Sequence, residues 1–104
     1  MTERRDAVFQ ALADPTRREV VTRLAAQGNL TATELAADLP VSRQAVAKHL
    51  SALADAGLVS STREGREVRY RFTPGPMADA VGWMADVGSE WDVRLDALRR
   101  HLDG

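Results

Sequence analysis

Ser42-Arg43-Gln44-Ala45, followed by Lys48 and His49, is the stretch of this 104-residue chain whose side chains best suit reading a polar surface. Gln44 can bond an adenine edge with both amide atoms, Arg43 can take a guanine or a phosphate, and Ala45 leaves room for a thymine methyl. Ser42 is an N-cap residue type, and the free amides of a helix start hold phosphate. At about 100° per residue, Val46, Leu50 and Leu53 point to one side of a helix and Gln44, Lys48 and Ser51 to the other. Arg43 and Ala45 flank that outer side at the first turn. For His49, packing or a phosphate contact is favoured over metal ligation.

A second group is Arg63, Arg66 and Arg69, set around Glu64-Gly65-Arg66-Glu67. Residues 58–63 and 68–72 read as two strands joined by a glycine-containing turn. Val68, Tyr70 and Phe72 then share one face and Arg69 and Arg71 the other. Arginines clustered at a hairpin tip suit a nucleic-acid backbone or a minor groove. A solvated strand face interleaved with Glu64 and Glu67 weighs equally when the hairpin is taken alone. Beside a capped helix-turn-helix the solvated face becomes the lesser reading. The net charge is −1, yet residues 42–72 hold six basic against three acidic residues, and the rest holds eight against twelve.

These groups need elements to hold them. A first helix over about 3–13 places Val8, Phe9 and Leu12 on one side, with Thr2 as its expected cap. Asp14-Pro15 opens a second helix with Val20, Val21 and Leu24 buried, and Gly28 stops it. Thr31 and Glu34 fit a capping box for a short third helix with Leu35 and Leu39 inward, broken by Pro40. Ser42 caps the fourth, so the third and fourth form a helix-turn-helix. Gly57 ends the fourth, the hairpin follows, and Thr73-Pro74-Gly75-Pro76 precedes a long helix from about Met77 to His101. The predicted fold is one domain over 1–104, mainly α with a small β-hairpin, in the order α-α-α-α-β-β-α.

The last helix carries Met77, Ala80, Met84, Val87, Trp91, Leu95, Leu98 and Leu102 on one stripe, on which Gly88 also lies and would permit close helix contact. Glu90 with Arg94 and Asp96 with Arg100 form acid-before-base pairs on its outer side. So long a stripe exceeds what a small core covers and suggests a subunit interface, although part of it must serve the protomer's own core.

Other classes find little support. Cys is absent, which removes disulfides and thiolate ligands. No stretch approaches an apolar membrane span, and residues 1–6 lead into an amphipathic segment, so a cytoplasmic location is expected. No glycine-rich phosphate loop and no recognisable nucleophile motif is present, so no enzyme is expected.

The run "LTATELAADLPVSRQAVAKHLSALADAGLV", then "REGREVRYRF", with "ALADPTRREVVTRL" before them, resembles the ArsR family of winged helix-turn-helix repressors over nearly the whole chain. The resemblance implies a dimeric repressor of double-stranded DNA. It places Ser42, Arg43, Gln44, Ala45, Lys48 and His49 on the recognition helix and Arg63, Arg66 and Arg69 on the wing. It also implies a homodimer built from the first and last helices, through Val8, Phe9, Leu12, Met84, Val87, Trp91, Leu95 and Leu98. The tail resembles a branch without an obvious metal site: Thr33 to Leu39 hold no thiol, and His101 has no second His at ligand spacing, so no metal or cofactor is expected. A pocket at the dimer interface, lined by Trp83 and Trp91 and binding a small apolar effector, is a further reading, and the commoner case of interface aromatics without a ligand is favoured over it. A winged-helix module for protein contact is the alternative function.

Overall fold

Caps divide the helical half of the chain. The computed structural model describes residues 2–103 and begins with α1 (Thr2–Leu12); the expected cap by the Thr2 side chain lies outside the described residues. Asp14 stands in extended backbone, and its Oδ1 accepts the amides of Thr16 at 2.8 Å and Arg17 at 3.1 Å. With Pro15 behind it, this opens α2 (Pro15–Gln27), which Gly28 closes at φ 87° by donating its amide to the Leu24 carbonyl. The Arg17 amide is the main cause of an Asp14 carboxyl pKa below its ordinary value. In α3 (Ala32–Ala37) both halves of the capping box are made: Glu34 N–H to Thr31 Oγ1 at 3.1 Å and Thr31 N–H to Glu34 Oε1 at 2.9 Å. Ser42 Oγ accepts the Ala45 amide at 3.1 Å and starts α4 (Arg43–Asp55).

The end of α4 is a Schellman turn. Gly57 N–H bonds the Ala54 carbonyl and Leu58 N–H the Leu53 carbonyl, both at 2.9 Å, with Leu53 and Leu58 fully buried against the core. Gly57 has φ 78°, and a Cβ there would meet Pro76 Cγ at 3.3 Å. Both the backbone sign and the close approach require glycine. Gly57→Ala is expected to lower stability by about 1–2 kcal/mol, read as a shift in urea midpoint. An unchanged midpoint would contradict the strain at this position.

The sheet has one strand more than predicted. The strands β2 (Val59–Glu64) and β3 (Glu67–Phe72) make the hairpin, β2 shifted by one residue from its predicted bounds and β3 starting one residue earlier. Leu30–Thr31 forms the added strand, β1, giving the order β1-β3-β2, all antiparallel. Two residues are too few to show a period of two. Leu30 and Thr31 become a strand because β3 offers them an edge, Leu30 opposite Tyr70 and Thr31 opposite Arg69.

The core gathers Val20, Val21 and Leu24 of α2, Leu35 of α3, Val46, Leu50 and Leu53 of α4, and Leu58 and Val59. Val8 and Ala11 of α1 and Ala80 of the last helix complete it, with Val8 only 1% exposed. That corrects one expectation: Val8 is filled in by its own protomer and has no surface left for a partner. Phe9 and Leu12 are half-buried. The long helix α5 (Gly75–Asp103) starts two residues before its predicted bound and buries only Pro76 and Ala80. Every residue from Val81 to Leu102 is exposed. Phe9 meets Trp83 edge to face at 5.7 Å, and the Arg5 guanidinium lies 4.9 Å over the same ring, fastening α1 to the near part of α5. Beyond that point α5 projects, and the molecule measures 68 × 28 × 21 Å.

Candidate nucleic-acid interface

Helix α4 is two-sided. Val46, Leu50 and Leu53 are sealed in the core, while Ser42, Arg43, Gln44, Ala47, Lys48 and Ser51 are exposed and Ala45 is half-buried. This is the arrangement that lets a helix enter a major groove with polar side chains leading. His49 departs from that side. It lies half-buried in the seam with α2, where Arg17 Nε donates to its Nδ1 at 3.3 Å. That bond assigns the His49 ring to packing between helices. It also brings in Arg17, which sequence reading missed because the two residues lie 32 positions apart.

The hairpin turn is Gly65-Arg66, with glycine first at φ 62° and no positive-φ residue other than glycine among the described residues, the pattern of a type II′ turn. Arg66 stands exposed at the tip. Arg63 is opposite Val68 and Arg69 opposite Thr62, so register puts these two arginines on opposite faces. The predicted cluster of three is therefore split. Arg63 is exposed, with Nε near the Gly65 carbonyl at 3.4 Å.

Arg69 is already occupied. Its Nη2 reaches Glu67 at 2.9 Å, its Nη1 reaches Glu34 at 3.4 Å and the Asn29 carbonyl at 3.5 Å, and its Nε reaches Glu64 at 3.5 Å. Its side chain is 26% exposed, against about half for each carboxylate. A guanidinium held by three acids within its own protomer differs from the free wing contact expected from sequence. Glu34 Oε1 thus serves both the α3 cap and this cluster. The Thr31 amide and then its hydroxyl hold the Glu34 carboxyl pKa below its ordinary value, with the charge of Arg69 adding to the effect. Between α3, the first turns of α4 and β3 runs an open groove of about 570 Å³, bordered by Glu34, Arg43, Ala47, Arg66, Glu67 and Arg69.

The tryptophans serve different surroundings. Trp83 is committed to Phe9 and Arg5, while Trp91 is 58% exposed on the projecting part of α5. Nothing in that geometry supports an effector lodged between them. No group of three or more potential ligand residues gathers among the described residues.

A helix-turn-helix domain family matches residues 12–62, which span the second, third and fourth helices and the start of the hairpin. The HTH-type transcriptional regulator Rv2034 of Mycobacterium tuberculosis is 49% identical, over 94% of this chain and 88% of its own. The transcriptional repressor SdpR of Bacillus subtilis is 31% identical over 85% and 97%. An ArsR-like transcriptional regulator from Rhodococcus superposes with a TM-score of 0.81 and 43% identity, covering 95% of this chain and 92% of that one. The chain belongs to the ArsR family of transcriptional regulators. A further neighbour, from Mycobacterium bovis and described as the homodimeric winged helix-turn-helix DNA-binding domain of a possible ArsR-family regulator, superposes at 0.66 with 28% identity, covering 90% and 83%. As an ArsR-type regulator the protein is a DNA-binding transcription factor, and its fold is the winged helix-turn-helix.

Proposed function

We propose that the protein is a homodimeric repressor that sets two copies of α4 into successive major grooves of an inverted-repeat operator, roughly 34 Å apart. The two-sided α4 carries this reading: its inner residues are sealed while Gln44 and Lys48 stand free. Gln44 is assigned to base edges, Arg43 to a guanine or a phosphate, Ser42 and Lys48 to phosphates, and Ala45 to a thymine methyl. Arg63 and Arg66 are the wing's contacts. The dimer is supported by the uncovered stripe of Met84, Val87, Trp91, Leu95 and Leu98, from 41% to 58% exposed, with Phe9 and Leu12 at its near end. A cytoplasmic location fits a protein whose target is DNA, and no described helix is long and apolar enough to cross a membrane. A protein-contact module would need an apolar outer side on α4, where Gln44, Lys48 and Ser51 stand instead.

Fluorescence anisotropy with the duplex upstream of the protein's own gene, against a scrambled duplex across a salt series, tests the reading. Tight binding to the first with a steep negative salt slope is expected. Gln44→Ala is expected to lose roughly 1–3 kcal/mol of preference for the operator, leaving scrambled DNA nearly unaffected. Arg66→Ala is expected to weaken both duplexes alike and to make the salt slope shallower by about one. Equal losses on both duplexes for Gln44→Ala would remove it from base reading.

A further inference from the structure

We propose that Arg69 acts on DNA from within the protein: it ties the wing to the start of the helix-turn-helix and cancels carboxylates bordering the path of the DNA backbone, without touching a phosphate itself. This deepens the DNA-binding reading above and rests on it.

Three observations carry the assignment. The first is position. Arg69 lies on the middle strand, opposite Thr31 on one side and Thr62 on the other, so its backbone is fixed by both neighbours. The second is occupancy. One guanidinium serves Glu64 and Glu67 at the wing, Glu34 at the α3 cap and the Asn29 carbonyl ahead of it, spending its fork of donors on the protein. Separate pieces of the fold, distant by up to 40 positions, meet at that one group.

The third is the groove. With α4 in a major groove and the Arg66 tip along the adjoining backbone or minor groove, the strand between them must cross the space separating these two elements. Arg43 and Ala47 of α4, Arg66 and Glu67 of the hairpin, Glu34 of α3 and Arg69 of β3 all line that space. Glu34 and Glu67 therefore border the path of a polyanion. With Arg69 present the groove sets Arg43, Arg66 and Arg69 against Glu34 and Glu67. Without it the excess disappears, and acids 48–57% exposed turn toward phosphate. Exposed ion pairs contribute little to stability, so the value of the cluster lies in placement and charge.

The test uses the full chain and a random-sequence duplex at low salt, because backbone binding is independent of sequence. Arg69→Ala is expected to lower affinity roughly three- to tenfold, as one newly uncompensated charge near phosphate would. Its salt slope should change by clearly less than one, in contrast to Arg66→Ala, since no phosphate contact is lost and only a screened repulsion is added. Adding Glu67→Gln to Arg69→Ala should bring affinity back to within about twofold of wild type, and adding Glu34→Gln as well should carry it above wild type. Should Arg69→Ala fail to fold by circular dichroism, Arg69→Gln takes its place with the same expected pattern. A slope shallower by about one would make Arg69 a direct phosphate ligand and overturn the assignment. So would wild-type affinity in Arg69→Ala, or no recovery on neutralising the acids. A wild type that binds no duplex at low salt would overturn the DNA-binding reading and this assignment with it, and is thereby distinguished from a failure of Arg69 alone.

Discussion

A variant carrying Leu95→Glu and Leu98→Glu sediments as a monomer and loses operator affinity by roughly two orders of magnitude or more. Leu95 and Leu98 are 41% and 54% exposed in the protomer, on a helix whose residues from Val81 to Leu102 meet little of their own chain. Two buried glutamates facing their symmetry mates would each need desolvation without a partner, which disfavours the interface strongly. The loss on DNA follows because the second half-site, bound in a dimer at an effective concentration set by the linkage, must then be bound independently. The reading head lies elsewhere, so binding to random DNA should keep its salt slope per protomer. A double variant that remains dimeric by sedimentation would place the interface on another surface.

Leu50→Ala produces the larger effect on the fold. Leu50 is 0% exposed on the inner side of α4, directly behind the outward residues, in a cluster with Val46, Leu53, Leu24 and Leu35. Truncating a leucine so enclosed costs about 2–5 kcal/mol, since neighbours relax only partly into the space. Domains of this class hold about 5–15 kcal/mol in all. A drop in Tm on the order of 10–30 °C is therefore expected, measured by circular dichroism at fixed protein concentration. A fall under about 1 kcal/mol would mean the site collapses around the smaller side chain, contrary to the close packing of interiors. The two variants separate the machinery: one removes the partner and keeps the head, the other loosens the head itself.

The caps were the most legible part of the chain, since Asp14, Thr31 with Glu34, and Ser42 act within three residues of themselves. Local chemistry of that kind is written in adjacent letters. The inner and outer sides of α4 were legible for a similar reason, because one helical period decides both. What escaped depended on distance along the chain. Strand β1 exists through β3, some 40 positions later. Arg69 looked like a free wing cation because Glu34, 35 positions away, leaves no local sign of its approach. His49 met Arg17 in the same way. Val8 shows a further limit: periodicity marks an apolar face and does not say whether the protomer or its partner covers it. At Val8 the protomer covers it, at Phe9 and Leu12 only in part, and on the far half of α5 not at all.

Only Thr73 and Pro74 separate the last strand of the wing from α5. Thr73 donates its amide to the Leu58 carbonyl at 2.8 Å, and Pro74 has its φ fixed by its ring. A joint so short has little slack. The 29 residues of α5 make a rod about 43 Å long, and the contacts of Trp83 with Phe9 and Arg5 hold its near part to α1 as well. The protein is in this sense a lever clamped at its short end, and in the proposed dimer the spacing of the two reading heads follows from how stiffly that clamp holds.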